Sequence, residues 1–465
     1  MQILAVKTGT EWDATHERPM REISVLLRFR VENYASLLEE QELSLIAEEA
    51  HEGRRTMRVP GSSLSALPVA AIFGANASGK SNVVRALGYM RRVVLDSHRR
   101  WQPDGGVERL PFMLSGAGAE RPSTFAVDLV LDEVRYEYGF TVDDSQVLEE
   151  WLFSYPHRKR RKLFVRDRGG VFGYGDAFSG RRKVIEDIVR SNSLYLSAGA
   201  SNNHPLLLRL HSWFRKELRI ATEANYAERF AETVQLWETR GREQVEDLLR
   251  YADFGVESFD VSEDASSDEE VARLVQALRI LHPDSVDEED LSAWMKSRRT
   301  VRLAHRGSEG TVAIDPGLES SGTRTWTGLL GPVVSALNTG SVLVIDELDA
   351  RLHPLLAARL VALFQEEKTN PLGAQLIFNT HDTSLLSPGS DARLRRDQVW
   401  LVEKGHADGP KRAAGASELI ALLEYRPRDR VENLEKRYLA GRYGALPYFD
   451  EELIESFTSG EERVR

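Results

Sequence analysis

The chain contains no cysteine among its 465 residues. That absence excludes disulfides, thiolate-ligated zinc and cysteine nucleophiles, and with them disulfide scaffolds and thiol enzymes. No run of 18 or more apolar residues occurs, which excludes a membrane-spanning helix. The N-terminus lacks the basic-then-apolar layout of a secretory signal, so a cytoplasmic location without membrane contact is expected. Positive charge is also short: 61 Lys and Arg stand against 72 Asp and Glu, for a net charge of −11. A protein that coats nucleic acid over its whole surface is thereby excluded, whereas a local basic groove is not. What remains is ordinary for a globular protein, with 42% hydrophobic and 29% charged residues. The length suffices for one large core or two smaller ones.

Against that background two short segments stand out. Gly74-Ala75-Asn76-Ala77-Ser78-Gly79-Lys80-Ser81 fits G-x-x-x-x-G-K-[ST]. It follows an apolar run, Leu67 to Phe73, and opens a helical stretch, Asn82 to Arg92. Glycines let such a loop curl so that successive amides point inward at a phosphate, and the helix adds its positive end. Lys80 then reaches the phosphates and Ser81 ligates Mg2+. The second segment, Asp346-Glu347, closes the apolar run Val342-Leu343-Val344-Ile345. A carboxylate at the end of a buried strand can support Mg2+, and the next one can activate water. Lys80 and Asp346 lie 266 positions apart in the chain (80 to 346), more than a compact nucleotide-binding fold needs. A large insertion is therefore expected between them.

The pattern along the chain fits that expectation. Residues 1–20 read as an extension. Residues 21–182 read as a first lobe: Val25 to Tyr34 alternates like a strand, with Glu42 to Ile46 as its hairpin partner. Thr124 to Leu131, Arg135 to Val142 and Leu163 to Arg166 then form a β-meander. Residues 183–300 read as a helical insertion. Leu206 to Leu218, Tyr226 to Glu238, Arg242 to Tyr251, Val271 to Leu281 and Glu288 to Ser297 carry helical spacing, and an acidic linker spans Ser262 to Glu270. Residues 301–465 return to alternation: helices over Thr323 to Leu337 and Leu355 to Glu367, strands over Ser341 to Ile345, Ala374 to Asn379 and Gln398 to Glu403. The fold class read from this is α/β, a P-loop ATPase with a meander and a helical insertion between its two halves.

Two further elements narrow the ATPase class. Ser320-Ser321-Gly322 opens the predicted helix, as a helix N-terminus that can hold an anion belonging to a second subunit. His381, in Asn379-Thr380-His381-Asp382, follows a predicted strand where a histidine can touch a γ-phosphate. The series Gly74–Ser81, Ser320–Gly322, Asp346-Glu347, Asp349 and His381 resembles the ABC-type ATPases of the SMC/RecF/OLD branch. The run from Phe29 to Ser36 resembles that branch's first strand, which packs near the adenine and phosphates. Leu343 to Pro354 and the tail Glu432 to Ala445 are more similar still to bacterial AAA_15/AAA_21-type proteins, RloA-like and abortive-infection ATPases. The resemblance covers residues 21–180 and 300–448.

It implies nucleotide contacts from Gly74, Asn76, Ser78, Gly79, Lys80, Ser81, Asn82, Asp349 and Asn33. It implies Mg2+ on Ser81 and Asp346, and catalysis by Lys80, Glu347 and His381. Ser320, Ser321 and Gly322 would come from the other subunit of an ATP-bridged head-to-tail homodimer. A defence role follows, with a nuclease or toxin acting in trans. A RecF-like repair clamp and an OLD-like nuclease acting in cis are the alternatives. Val402-Glu403-Lys404-Gly405 is a faint match to a nuclease motif, and Arg158-Lys159-Arg160-Arg161-Lys162 is the one concentrated basic run that nucleic acid could use.

Overall fold

The computed structural model describes residues 24–48, 56–59, 62–263, 299–405, 413–426 and 433–447. The extension 1–20, most of the acidic linker and the predicted helices Val271 to Leu281 and Glu288 to Ser297 lie outside them. The chain forms two compact units, Met1–Ala224 with Ser335–Arg465, and Asn225–Val334.

Two large sheets, with a two-stranded one of Met57–Arg58 and Ser65–Ala66, lie in the first unit. Five strands of the six-stranded sheet are parallel, in the order Leu218–Ala221, Val342–Ile345, Gln375–Asn379, Val69–Gly74 and Val399–Lys404, and Ser417–Ala421 adds an antiparallel edge. The central strand Val69–Gly74 is buried at every position, as expected of a strand covered on both faces. The seven-stranded sheet is antiparallel throughout, in the order Phe172–Tyr174, Arg161–Arg166, Val147–Ser154, Val134–Val142, Ser123–Leu131, Ser24–Glu32 and Gln41–Ser44. This is the expected meander with two strands more, Val147–Ser154 and Phe172–Tyr174.

The helix Lys80–Asp96 shares one apolar core with both sheets. Its Tyr89 ring lies 4.9 Å from Phe125 of the antiparallel sheet. A register shift between Leu26 and Arg28 leaves Leu27 without a partner in the ladder. Beside it, the N–H and C=O of Leu26 bond to the Gln375 amide at 2.8 and 3.0 Å, which ties the two sheets at the start of a parallel strand.

The insertion is neither wholly helical nor bounded at 183. The segment read as one helix from Leu206 to Leu218 is a helix over Pro205–Ser212 and a wider turn over Trp213–Glu217. Leu218–Ala221 then pairs in parallel with Val342–Ile345. Four residues are too few to show a period, so a short edge strand reads as the end of the helix before it. The second unit holds helices Tyr226–Thr239 and Arg242–Tyr251 and an antiparallel sheet of Val256–Glu263, Arg299–Gly307 and Gly310–Ile314. Ser262 and Glu263, assigned from sequence to the acidic linker, end the first of those strands. Helix Ser321–Thr339 begins in this unit, and its buried Trp326 donates to Leu248 O at 3.0 Å.

Candidate nucleotide site

Three loops at the carboxyl ends of adjacent parallel strands carry the candidate site, where open α/β sheets place ligands. Gly74 ends the central strand with φ 154, and a Cβ there would lie 2.6 Å from Val402 O. Only glycine lets the loop leave the strand so close to its neighbour. Asn76 and Ala77 form the exposed tip, and Gly79, at φ 107, caps the helix that starts at Lys80. The N–H groups of Gly79, Lys80 and Ser81 have no acceptor among the described residues. Ser78 Oγ is buried without a partner among the described residues. Unpaired amides, an orphan hydroxyl and a helix N-terminus together fit a phosphate.

Lys80 reaches back across this loop. Its Nζ donates to Gly74 O at 2.7 Å and Ala75 O at 2.8 Å, and lies 3.2 Å from His381 Nδ1. Burial lowers its pKa to about 8, against the opposing pull of the Asp349, Glu347 and Asp346 carboxylates. Burial and the neighbouring Lys80 charge also lower His381. The ammonium, the imidazole and three carboxylates thus feel one another. At pH 9 about nine-tenths of the free protein has lost the Lys80 proton, and a bound polyanion must restore it. The dissociation constant for ATP is therefore expected to be flat up to pH 7.5 and about tenfold higher at pH 9. Titration calorimetry in buffers of different ionisation heat should show proton uptake at the higher pH.

Asn379 was not among the residues singled out from sequence, yet it organises the site. It is fully buried at the end of its strand. Its Nδ2 donates to Asp346 Oδ1 at 2.6 Å and to Ser81 Oγ at 3.3 Å, so one amide joins the two expected metal ligands. Its Oδ1 accepts the Glu347 N–H and its carbonyl accepts the Leu348 N–H. Glu347 has φ 57, a left-handed conformation that costs a non-glycine residue roughly 1–3 kcal/mol. The bond from Asn379 holds it there with an exposed carboxylate. Asp349 accepts the His381 N–H at 3.2 Å and so fixes the backbone of the histidine. The available signal for Asn379 was its place between a buried apolar run and His381.

Two residues assigned to nucleotide do other work. Asn33 is fully buried; Asn33 Nδ2 donates to Gly118 O and Arg121 O, while Oδ1 accepts the Phe112 N–H. The residue fastens a loop, and none of its polar atoms is left for a base or phosphate. Asn82 turns its amide to Ser36 Oγ at 2.7 Å. In the second unit, Ser320 caps its helix by accepting the Thr323 N–H at 3.1 Å, with Ser321 exposed and Gly322 half-buried. Glu319, just before it, pairs with His305 at 2.5 Å. The Glu403 carboxylate accepts the Ala445 N–H at 3.0 Å and anchors the tail, the role of a strand residue and not of a nuclease ligand.

Residues 69–387 match the AAA_21 family, described as AAA domain, putative AbiEii toxin, Type IV TA system. The chain belongs to this AAA family. Its fold is mixed α/β, with the glycine-rich loop leaving a central strand of the six-stranded sheet. Among solved structures it is similar to the SMC head bound to the C-winged helix domain of ScpA, at 13% identity over 85% of this chain and 97% of that one, TM-score 0.41. It is similar to the SMC head domain from Thermotoga maritima, at 13% identity over 85% and 98%, TM-score 0.35. The recombination mediator protein RecF with ATP is similar at 15% identity over 79% and 94%, TM-score 0.30. No curated protein matches the chain. Among the described residues no helix is long and apolar enough to cross a membrane.

Proposed function

We propose that this AAA protein is an Mg2+-dependent ATPase that closes into a head-to-tail homodimer on ATP and gates a nuclease or toxin acting in trans. The observation that carries the ATPase reading is the Asn379 bracket, which joins Ser81, Asp346 and the Glu347 backbone beside the phosphate loop. Ser81 and Asp346 are the residues that would hold Mg2+. Bound there, the metal supplies charge neutralisation at the phosphate oxygens.

The chain's own residues do the rest. The amides of Gly79, Lys80 and Ser81 and the Lys80 ammonium bind the phosphates. Glu347 takes a proton from water as the water oxygen bonds to the γ-phosphorus and the bridging P–O bond breaks, releasing ADP and phosphate. His381, kept neutral at pH 7, donates one hydrogen bond to a γ-phosphate oxygen. Ser320, Ser321 and Gly322 of a second copy complete the site, so that ATP favours the closed dimer by its higher affinity for it. The exposed Ser321 at a helix start supports that assignment. The family's description, with its toxin and type IV toxin–antitoxin system, supports an effector in a defence pair.

The test is recovery of tagged Glu347→Gln protein from its native cells with ATP present, read by mass spectrometry. Stoichiometric recovery of a nuclease or toxin-like protein is expected. Recovery of the chain alone, or of repair proteins with DNA, sinks the gated-effector reading.

One observation favours the RecF-like clamp as a second reading. Arg158 to Arg160 lie in the turn between strands Val147–Ser154 and Arg161–Arg166, Arg161 and Lys162 open the second of these strands, and all five are exposed. None of the five pairs with a carboxylate among the described residues. Arg160 lies over the Phe153 ring at 3.7 Å. Replacing Arg158, Lys159, Arg161 and Lys162 by Ala is expected to weaken duplex DNA at least tenfold at low salt and to flatten the salt slope by about 3–4. DNA-stimulated ATP turnover that the same substitutions abolish decides for the clamp. Turnover indifferent to DNA leaves the effector reading standing.

A further inference from the structure

The phosphate loop is gripped from behind by two serines that lie outside it in the chain. Ser417 Oγ lies 2.5 Å from Ser78 O and 2.7 Å from Ser36 Oγ, and Ser36 Oγ lies 2.7 Å from Asn82 Nδ2. The Ser417 N–H also donates to Ser36 O at 2.7 Å, which locks the two segments together. The protons can be assigned by elimination. A carbonyl only accepts, so the single Ser417 hydroxyl proton goes to Ser78 O. Asn82 Nδ2 only donates, so its proton goes to Ser36 Oγ. Ser36 therefore gives its own proton to Ser417 Oγ. Three hydrogen bonds run one way, from Asn82 through Ser36 and Ser417 to the carbonyl of Ser78.

That carbonyl belongs to the peptide whose other end is the Gly79 N–H, one of the loop amides without an acceptor among the described residues. A hydrogen bond accepted at a peptide's oxygen polarises the peptide and strengthens its N–H as a donor, and chained donors reinforce one another. The grip also explains the glycine. A Cβ on Gly79 would lie 2.3 Å from Ser417 Oγ and 2.6 Å from Ser36 Oγ. Ser417 is buried and Ser36 half-buried, so both hydroxyls are held in place.

We propose that Ser36 and Ser417 are positioning residues for the nucleotide: their hydroxyl relay fixes and polarises the Ser78–Gly79 peptide so that Gly79 N–H binds the phosphate. The inference rests on the reading of Gly74–Ser81 as the phosphate loop. Binding of a fluorescent ATP analogue and thermal melting, with and without ATP, test it. Ser417→Ala is expected to raise the dissociation constant about tenfold and Ser36→Ala about threefold, as loss of one hydrogen bond and of its reinforcement. Melting without nucleotide should stay within about 2 °C of wild type, while the ATP-induced shift shrinks. Ser36→Thr, which keeps the hydroxyl at a half-exposed position, should restore binding. In the Ser417→Ala background, Ser36→Ala should add nothing further.

Unchanged affinity in either alanine variant, or two effects that multiply in the double variant, overturns the relay. Ser36→Ala alone decides the matter should Ser417→Ala fail to fold. The phosphate-loop reading fails separately: it is lost when wild type does not bind the analogue, or when Lys80→Ala binds it equally well.

Discussion

Glu347→Gln is expected to lower ATP turnover about 10²–10³-fold while the affinity for ATP stays within about threefold of wild type. The size follows from what a positioned general base contributes. Glutamine keeps the volume of the side chain and cannot take a proton from water. The backbone at 347 should not move, because its left-handed φ of 57 is held through the N–H to Asn379 Oδ1, which the substitution leaves alone. The carboxylate is exposed, so no buried partner is orphaned by the change. Steady-state phosphate release and equilibrium binding of the same preparation check the two halves. Light scattering adds a third readout: with ATP, the variant should hold twice the monomer mass, since dimer release needs hydrolysis in the proposed cycle. Turnover like that of wild type would assign the base to another residue.

Asn379→Ala is expected to lower turnover about 10–100-fold and to cost about 2 kcal/mol of stability. Both effects have one origin. The amide bonds Asp346 Oδ1 at 2.6 Å and Ser81 Oγ at 3.3 Å, and its oxygen holds the Glu347 N–H. Alanine leaves buried or half-buried polar groups unpaired, a penalty of about 1–3 kcal/mol. It also removes the bond that stabilises Glu347 in a costly conformation, so the candidate base loses its fixed position. Denaturant melts measure the stability term. Turnover titrated with Mg2+ separates the catalytic term, because a displaced Asp346–Ser81 pair should raise the Mg2+ needed for half-maximal rate. Asn379→Asp distinguishes geometry from charge. It is nearly isosteric, yet it puts an acceptor-only group against the Asp346 carboxylate, so a loss at least as large as for alanine is expected. An alanine variant with wild-type turnover would show that the bracket is structural only.

These two residues mark how far the sequence goes. Glu347 is legible because a strand-ending carboxylate pair has meaning beside a phosphate loop. Asn379 is not, because its role lies in three partners, one almost 300 positions before it and two just over 30. Gln375 is unreadable for the same reason: its amide bonds Leu26 across 349 positions and sets the packing of two sheets. Asn33 shows the reverse error. It falls within a run that resembles the family's first strand, but the loop carrying Phe112 and Gly118 folds onto it and consumes its hydrogen bonds.

By itself the sequence determined the class of the fold and the places of the Gly74–Ser81 loop, of the strand-ending Asp346-Glu347 and of His381. These are local: a glycine-rich turn, a run of buried apolar residues and the polar residue that ends it lie within a few positions of one another. Tertiary structure decided the rest. It made Leu218–Ala221 a sheet edge, because a four-residue strand gains its hydrogen bonds only from Val342–Ile345. It drew Ser36 and Ser417, 381 positions apart, behind the phosphate loop. Hydrogen bonds act over about 3 Å of space and carry no signature in sequence distance, so only the folded chain reveals which polar side chains serve the site.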